Sequence, residues 1–428
     1  MRPLCKTPLC NLIILLLILN FHWCGDPDFS EKQFHVLRIT RRLSTASCPL
    51  SKHPRSINIS FLKFLSAISS SVLCACLLAL LADSCARPSP SIETVTISNV
   101  VPRRDSSGQM INAHRGCLQF FAGRFYLYGI AFGPDDTTTT TQPIVGYSSP
   151  DLQKWTFDGS LLQKQPDGVY TRPFVVFNLR TRKFVLWYNW FPKLWNGQAG
   201  VAVSDTPIGP FVVVNPKAHL LGSRPGDGSL FVDDDGSGYY IYTDMADNYA
   251  VRVERLTPDF LDASGKASNI MARGAEAPVL FRRKNLYYAL CGPLCPDSPR
   301  GSEVQVFASL SPLGPFSTRP SANINRGSLD ANSALITNRP GAVPGTWFTI
   351  RPEASVPAIP AQQTWVAKIP AGGEPDYIWV GDQWGSAPDG VKAHDLQYWS
   401  APLSFTADGR ILPMKFVADW QITWAFNH

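Results

Sequence analysis

Two carboxylates, Glu276 and Asp227, stand where polar residues lead into apolar segments. Two carboxyl groups cleave a glycosidic bond with inversion when one protonates the leaving oxygen and the other activates water, at a separation of roughly 6.5–9.5 Å. Partial burial beside Pro278 and the charge of Asp227 are expected to raise the pKa of Glu276, as a general acid requires. A salt bridge is the alternative for Glu276, and a turn over residues 225–228 is the alternative for Asp227.

These carboxylates belong to a pattern that repeats from about residue 110 onward. In each unit a polar opening leads into an apolar strand, a turn and an aromatic strand. The five openings, at Asn112, Thr171, Asp227, Glu276 and Gln362, are 59, 56, 49 and 86 residues apart. A period of roughly fifty residues with about four strands per unit is typical of propeller blades. We predict an all-β fold, a five-bladed β-propeller with a central polar funnel, and we interpret residues 339–360 as a loop insertion.

The first strand of each blade lines the channel, so the five openings are expected to meet at one polar site. The expected ligand-binding side chains, in addition to those of the carboxylates and Gln362, are Asn112, His114, Thr171, Trp195 and Trp384. The two tryptophans, in loop sequences, would offer flat apolar faces to sugar rings. Trp187 lies in an alternating run and is expected in the core.

Metal and disulfide signals are weak. Asp233–Gly236 lacks a downstream Glu at calcium-loop spacing and is interpreted as a hairpin turn, and no Cys/His spacing suggests zinc. We predict no cofactor; calcium in the channel has no support from the sequence. Cys291 and Cys295 could form a disulfide that closes a small loop, which would leave Cys117 as a buried free thiol. The alternative is that all three cysteines are unpaired and buried.

The amino-terminal residues 1–90 differ from the rest, residues 91–428, which we predict to be the propeller domain. They hold ten Lys/Arg against four Asp/Glu, so the remaining chain has 29 of each and shows no electrostatic footprint for nucleic acid. The apolar stretch 64–82 follows basic residues and precedes small ones, as in a secretory signal. Three alternatives remain for this segment: a signal cleaved near residue 86, a type II membrane anchor through 64–82, or an over-extended start before a signal at 55–86. All three predict that the protein enters the secretory pathway. Residues 87–92 are interpreted as a short linker.

The motifs of residues 110–424 resemble glycoside hydrolase family 43, within it the exo-β-1,3-galactanase-like group. The segments that carry the resemblance are 111–114 (INAH), 172–178 (RPFVVFN), 200–211 (GVAVSDTPIGPF), 225–236 (PGDGSLFVDDDG), 276–278 (EAP) and 381–384 (GDQW). The resemblance implies an inverting mechanism with Glu276 as general acid and Asp227 as the residue that tunes and orients it. It implies Gln362, or its neighbour Gln363, in the place of the catalytic base.

Two departures from the group concern the funnel. Thr171 stands where the group has Glu, and Arg115 stands where it has Gly. We therefore weigh three functions: an inverting exo-glycosidase acting on β-1,3-galactan, a carbohydrate-binding propeller without catalysis, and a protein-interaction propeller. The first is preferred, with a polysaccharide or oligosaccharide as substrate and a monomeric protein.

Overall fold

The computed structural model describes residues 91–133, 142–164, 167–192, 197–294, 301–317, 321–326, 348–349, 357–371, 373–383, 394 and 397–426. The predicted amino-terminal segment 1–90, including the stretch 64–82, lies outside these residues, as do Trp195, Trp384, Cys295 and most of the predicted insertion 339–360. Within the described ranges, no helix has the length and apolar character needed to cross a membrane.

Twenty-three strands and one 3-10 helix (Met245–Asp247) form the described part of the chain. Strand β1 is Ser91–Ser98. Blade one contains β2 (His114–Phe121), β3 (Arg124–Ile130), β4 (Ile144–Ser149) and β5 (Thr156–Ser160). Blade two contains β6 (Val169–Asn178), β7 (Lys183–Phe191), β8 (Gln198–Ser204) and β9 (Val212–Asn215). Blade three contains β10 (Pro225–Val232), β11 (Gly238–Asp244), β12 (Ala250–Leu256), β13 (Ala263–Ala267) and β14 (Ala272–Arg273).

Blade four contains β15 (Ala275–Arg283), β16 (Leu286–Pro293), β17 (Gln305–Ser309) and β18 (Ala322–Asn323). The short β19 (Phe348–Thr349) pairs in parallel with β14 at the edge of blade three. Blade five contains β20 (Gln362–Ile369), β21 (Asp376–Asp382) and β22 (Gln397–Trp399). The last strand is β23 (Asp419–Phe426).

The first strands of the five blades form a closed ring. Strand β2 contacts β6 and β20, β10 contacts β6 and β15, and β15 contacts β20. Each blade is antiparallel from its inner strand outward, apart from the added β19. The predicted five-bladed β-propeller is therefore confirmed, and the openings identified in the sequence lie at or beside the starts of the inner strands.

Large apolar side chains fill the spaces between blades. Trp187 is fully buried, donates its Nε1–H to the Phe260 carbonyl at 2.7 Å and packs on Tyr240, which confirms its predicted place in the core. Residues 233–237 connect β10 to β11 as a hairpin, with Gly236 at φ 78° and the Asp233 carboxylate bonded to Arg282 and Tyr287. The interpretation of this segment as a hairpin turn is confirmed.

The ends of the described chain differ from the prediction. The described three-stranded sheet of blade five ends at Trp399. Strand β23 pairs instead with β1, from Ser91↔Phe426 to Ser98↔Asp419. Residues 91–92, predicted as linker, begin β1. Asn99 joins this pair to blade five, because its amide donates to the Trp399 carbonyl and accepts from the Trp399 N–H. A repeat pattern cannot reveal pairing between the two ends of the domain.

The two described cysteines in the propeller are free and buried. Burial raises the pKa of the Cys117 thiol to about 12 and raises that of Cys291 further above its ordinary value. Cys291 is therefore unpaired and buried, as in the second alternative, and does not form the loop disulfide.

Candidate active site

All five inner strands bend near their first residues. The pairing register shifts there in each, between His114 and Cys117, Thr171 and Phe174, Pro225 and Gly228, Glu276 and Val279, and Gln363 and Trp365. Arg115, Arg172 and Ala277 adopt φ of 59°, 50° and 52° at these shifts. Left-handed backbone in a residue with Cβ costs on the order of 1–3 kcal/mol and concentrates at functional sites. The irregularities redirect the side chains at the mouth of the channel.

A buried arginine crosses the channel below this mouth. The Arg172 side chain is 3% exposed and donates to Asp227 Oδ2 at 2.7 Å and to the Gln363 carbonyl at 3.1 Å. One guanidinium thus joins blades two, three and five. Burial alone would lower the pKa of Arg172, but the carboxylates of Asp227, Asp382 and Glu276 hold it above its ordinary value.

Asp227 is an ionised carboxylate that still reaches the funnel, since 22% of its side chain is exposed. Its Oδ2 also accepts the backbone N–H of Ala277 at 3.1 Å, which places it beside the residue that follows Glu276. Burial by itself would raise the pKa of Asp227. The charge and hydrogen bond of Arg172, the charge of Arg115 and the Ala277 N–H together hold this pKa below its ordinary value.

Glu276 and the two glutamines of blade five lie beside this arginine. The Gln362 amide donates to Glu276 Oε1 at 2.6 Å, and the Gln363 amide donates to the Ala277 carbonyl. Glu276 is partly exposed and both glutamines are buried. The structure therefore brings together the three residues predicted for catalysis, Glu276, Asp227 and Gln362. Their catalytic roles stay predictions.

Asp382 completes the ring of contacts between blades. It lies at the end of β21, is fully buried and accepts the Arg115 N–H at 2.9 Å, so it links blade five to blade one. We call the connected set of Arg172, Asp227, Glu276, Gln362, Gln363 and Asp382 the funnel belt.

The described residues that were predicted to bind substrate, Asn112, His114 and Thr171, are not part of the funnel belt. The Asn112 side chain exchanges two hydrogen bonds of 2.8 Å with the Phe132 backbone and holds the loop after β3. His114 is buried and stacks on the Phe132 ring at 4.9 Å. Thr171 is 5% exposed, and its hydroxyl is buried with no hydrogen bond to the described part of the protein. These residues shape the wall of the funnel, and sugar contacts by them stay predictions.

Arg172 and Asp382 are the belt residues that the sequence did not identify as site residues. Both lay in segments that resemble the family, 172–178 and 381–384, but the repeat pattern pointed to strand openings. Arg172 follows the opening Thr171 by one residue and reaches the channel through the bulge, and Asp382 ends a second strand. Within the described ranges, no group of three or more His, Cys, Asp or Glu side chains could hold a metal ion.

A family model for glycosyl hydrolases family 43 matches residues 136–339. This part of the propeller is similar to glycosyl hydrolases family 43. Among solved structures, a family 43 β-1,3-galactosidase is 24% identical with a TM-score of 0.60, covering 77% of this chain and 64% of its own. An exo-β-1,3-galactanase from Clostridium thermocellum is 23% identical with a TM-score of 0.59, covering 76% and 66%. These likenesses show that this chain has the same fold.

One relative found by sequence is named for an activity other than that of the two solved structures. An arabinoxylan arabinofuranohydrolase from Bacillus subtilis (strain 168) is 26% identical, and the match covers 54% of this chain and 54% of the relative. The chain thus spans about half the length of that relative and about two thirds of the two solved structures. The resemblance to family 43 predicted from the sequence is confirmed by the family model and by the solved structures.

Proposed function

We propose that this chain is an inverting glycoside hydrolase that removes galactose from the ends of β-1,3-galactan chains. The single observation that supports catalysis is the placement of a partly exposed carboxyl group, Glu276, in hydrogen-bond contact with Gln362 and beside the ionised Asp227. A propeller that only binds carbohydrate has no need for two carboxylates held by a buried arginine.

Glu276 is the proton donor in this proposal. Its protonated carboxyl transfers a proton to the glycosidic oxygen as the bond to the anomeric carbon breaks, and a water molecule attacks that carbon from the opposite face. The attacking water releases one proton to solvent, and Glu276 regains a proton from solvent before the next turnover. The Gln362 amide at 2.6 Å fixes the rotamer of Glu276. Positioned acid–base groups of this kind contribute about 10²–10⁴-fold in rate.

Asp227 supplies fixed negative charge beside the reacting centre. Because Arg172 keeps its pKa low, Asp227 stays ionised at neutral pH and can stabilise the positive charge that develops on the sugar in an oxocarbenium-like transition state. Arg172 is a positioning residue, since it is buried below the funnel and acts on substrate through Asp227.

The base role predicted for Gln362 conflicts with the observed contact. An inverting pair lies on opposite faces of the sugar, roughly 6.5–9.5 Å apart, so that a water molecule fits between base and anomeric carbon. Gln362 instead lies 2.6 Å from Glu276. In this arrangement Gln362 orients the acid, and a base role would require its side chain to swing across the bound sugar.

The galactan substrate is proposed from the funnel and from the two solved structures, which are named as a β-1,3-galactosidase and an exo-β-1,3-galactanase. The test is to incubate the full chain with β-1,3-galactan and, separately, with arabinoxylan, and to identify the released sugar. Proton NMR of the first product gives its anomeric configuration. We expect α-galactose from β-1,3-galactan only; release of arabinose from arabinoxylan instead would contradict the proposed substrate.

Thr171 favours a second candidate function, a carbohydrate-binding propeller without catalysis. The residue is buried and uncharged where the galactanase-like group carries Glu, so the funnel lacks one carboxylate. This candidate predicts calorimetric binding of β-1,3-galactotriose without any product after long incubation. Product formation that Glu276→Gln abolishes would exclude it.

We also propose that the protein enters the secretory pathway, because basic residues, the apolar stretch 64–82 and small residues follow one another before the propeller. Expression of the full chain with a carboxyl-terminal tag tests this. Tagged protein in the medium or in the membrane fraction is expected, and recovery only from the cytosol would contradict the proposal.

A further inference from the structure

The end of the central channel opposite the funnel belt holds a cavity of about 400 Å³. Its wall is built from the later residues of the five inner strands, whereas the belt uses mainly their first residues. On β15, Glu276 belongs to the belt and Phe281 to the cavity, roughly 16 Å apart along an extended strand. No residue of the belt lines the cavity, so it is a separate site in the same channel.

Aromatic rings dominate the wall. Four blades each contribute a phenylalanine to it, namely Phe121, Phe177, Phe231 and Phe281. Phe281 is buried and the other three are half-buried, so part of each of these three rings is accessible within the cavity. A further layer of rings supports them: Phe177 packs on Phe184 at 4.9 Å, and Phe231 meets Tyr287 edge-on at 6.1 Å. The aromatic wall is therefore preformed.

The rim of the cavity is cationic. Four basic side chains line it, Arg282, Arg283, Lys284 and Lys368, against two acidic ones, Asp234 and Glu374. Arg282 pairs with Asp234 at 3.3 Å, and Glu374 pairs with both Arg283 and Lys284. Lys368 is exposed and makes no ion pair with any residue that the structure describes. Asp233, which bonds to Arg282 at 2.7 Å from behind the lining, leaves the rim with an excess of one positive charge.

We propose that this cavity binds a small planar aromatic carboxylate, with its ring among the phenylalanines and its carboxylate at Lys368. The volume is within the range of small-molecule pockets, which are mostly apolar with a few placed polar groups. An unsubstituted sugar fits less well, because four phenylalanine rings give no hydrogen-bond partner to the hydroxyl groups around its edge. A purely apolar ligand would leave the cationic rim without a function. The proposal does not depend on the proposed glycosidase activity.

Isothermal titration calorimetry of the full chain with sodium cinnamate tests the proposal. We expect saturable binding at one site, weakened by added salt because a charge pair contributes. Cinnamyl alcohol has the same ring and chain but no charge, and we expect it to bind about three- to tenfold more weakly. Absence of binding by cinnamate, or equal affinity for the alcohol, would overturn the proposal.

Two substitutions locate the site. Lys368→Gln is expected to weaken cinnamate about two- to fivefold, the range for a single exposed charge pair, while the matched control Lys217→Gln on blade two is expected to have no effect. Phe231→Ala is expected to weaken both ligands about tenfold through lost ring contact. Thermal unfolding of each variant shows that it is folded. Affinity unchanged in both Lys368→Gln and Phe231→Ala would place cinnamate elsewhere and refute the assignment.

A last control separates the cavity from the funnel. Glu276→Gln is expected to bind cinnamate as the parent does, and saturating β-1,3-galactobiose is expected not to displace it. Loss of cinnamate binding in Glu276→Gln, or displacement by the disaccharide, would show that the ligand occupies the funnel and would contradict the inference. Failure of the galactan assay alone leaves this experiment intact.

Discussion

Replacing Arg172 by Met removes the cation that holds the funnel belt together. Met keeps a long side chain and a Cβ at the same φ of 50°, so the backbone strain is the same in both proteins. The change removes the hydrogen bonds to Asp227 and to the Gln363 carbonyl, and it leaves Asp227, Glu276 and Asp382 without their shared counter-charge.

The expected cost follows from burial. Breaking a buried ion pair by removing one partner typically costs about 3–5 kcal/mol. Asp227 retains 22% exposure and can recover some hydration, so we take the lower end, about 3 kcal/mol. A domain of this size loses roughly 2 °C in Tm per kcal/mol, which predicts a decrease of about 6 °C at neutral pH.

The pH dependence has a definite sign. Asp227 has a lowered pKa in the folded protein, so its contribution to stability is complete above its ordinary value of 3.8 and is lost as the pH falls through the lowered value. The difference in Tm between parent and Arg172→Met should therefore be largest near pH 7 and should shrink at about pH 3.

Circular dichroism melts at both pH values measure this difference. Arg410→Met is the matched control, because Arg410 pairs with Asp408 on the surface with both side chains more than half exposed, and we expect no measurable change. A decrease below about 1 °C for Arg172→Met near pH 7, or a difference that does not depend on pH, would refute the reasoning.

Three further predictions concern other parts of the propeller. Asn99→Ala removes side-chain bonds to the backbone of Trp399 and is expected to lower the free energy of unfolding by about 2 kcal/mol, measured by urea denaturation. Cys117, buried with a thiol pKa of about 12, should resist iodoacetamide at about pH 8 in native protein and react in urea; equal rates would contradict its burial. Gln362→Met removes the bond to Glu276 and should lower kcat on β-1,3-galactan about 10–100-fold with little change in KM; an unchanged kcat would exclude an orienting role.

The repeat pattern predicted the blades because each blade must alternate apolar strands with turns, and that alternation is local in sequence. The inner strands start at or within about two residues of the predicted openings, as in β20 at Gln362 and β15 at Ala275. Pairing of β1 with β23 brings together residues more than 300 positions apart, and no local pattern encodes it.

Part of the candidate site could be predicted because its residues occupy repeated positions in the sequence. Polar residues at strand openings identified Glu276, Asp227 and Gln362, and the structure brings these three together. Arg172 escaped notice because it reaches the channel only through a bulge, where the pairing shifts between Thr171 and Phe174. A one-residue irregularity in a strand has no sequence signature here, since the residue at positive φ is not glycine.

The central claim is that Glu276 is the proton donor of a glycosidase. The most direct test compares Glu276→Gln with the control Glu374→Gln on two substrates, a β-1,3-linked galactobiose and 2,4-dinitrophenyl β-galactoside, whose leaving group needs no protonation. We predict a loss of about 10³-fold in kcat for Glu276→Gln on the disaccharide, a far smaller loss on the aryl galactoside, and parent-like rates for Glu374→Gln. Equal losses on both substrates, or full activity of Glu276→Gln on the disaccharide, would contradict the claim.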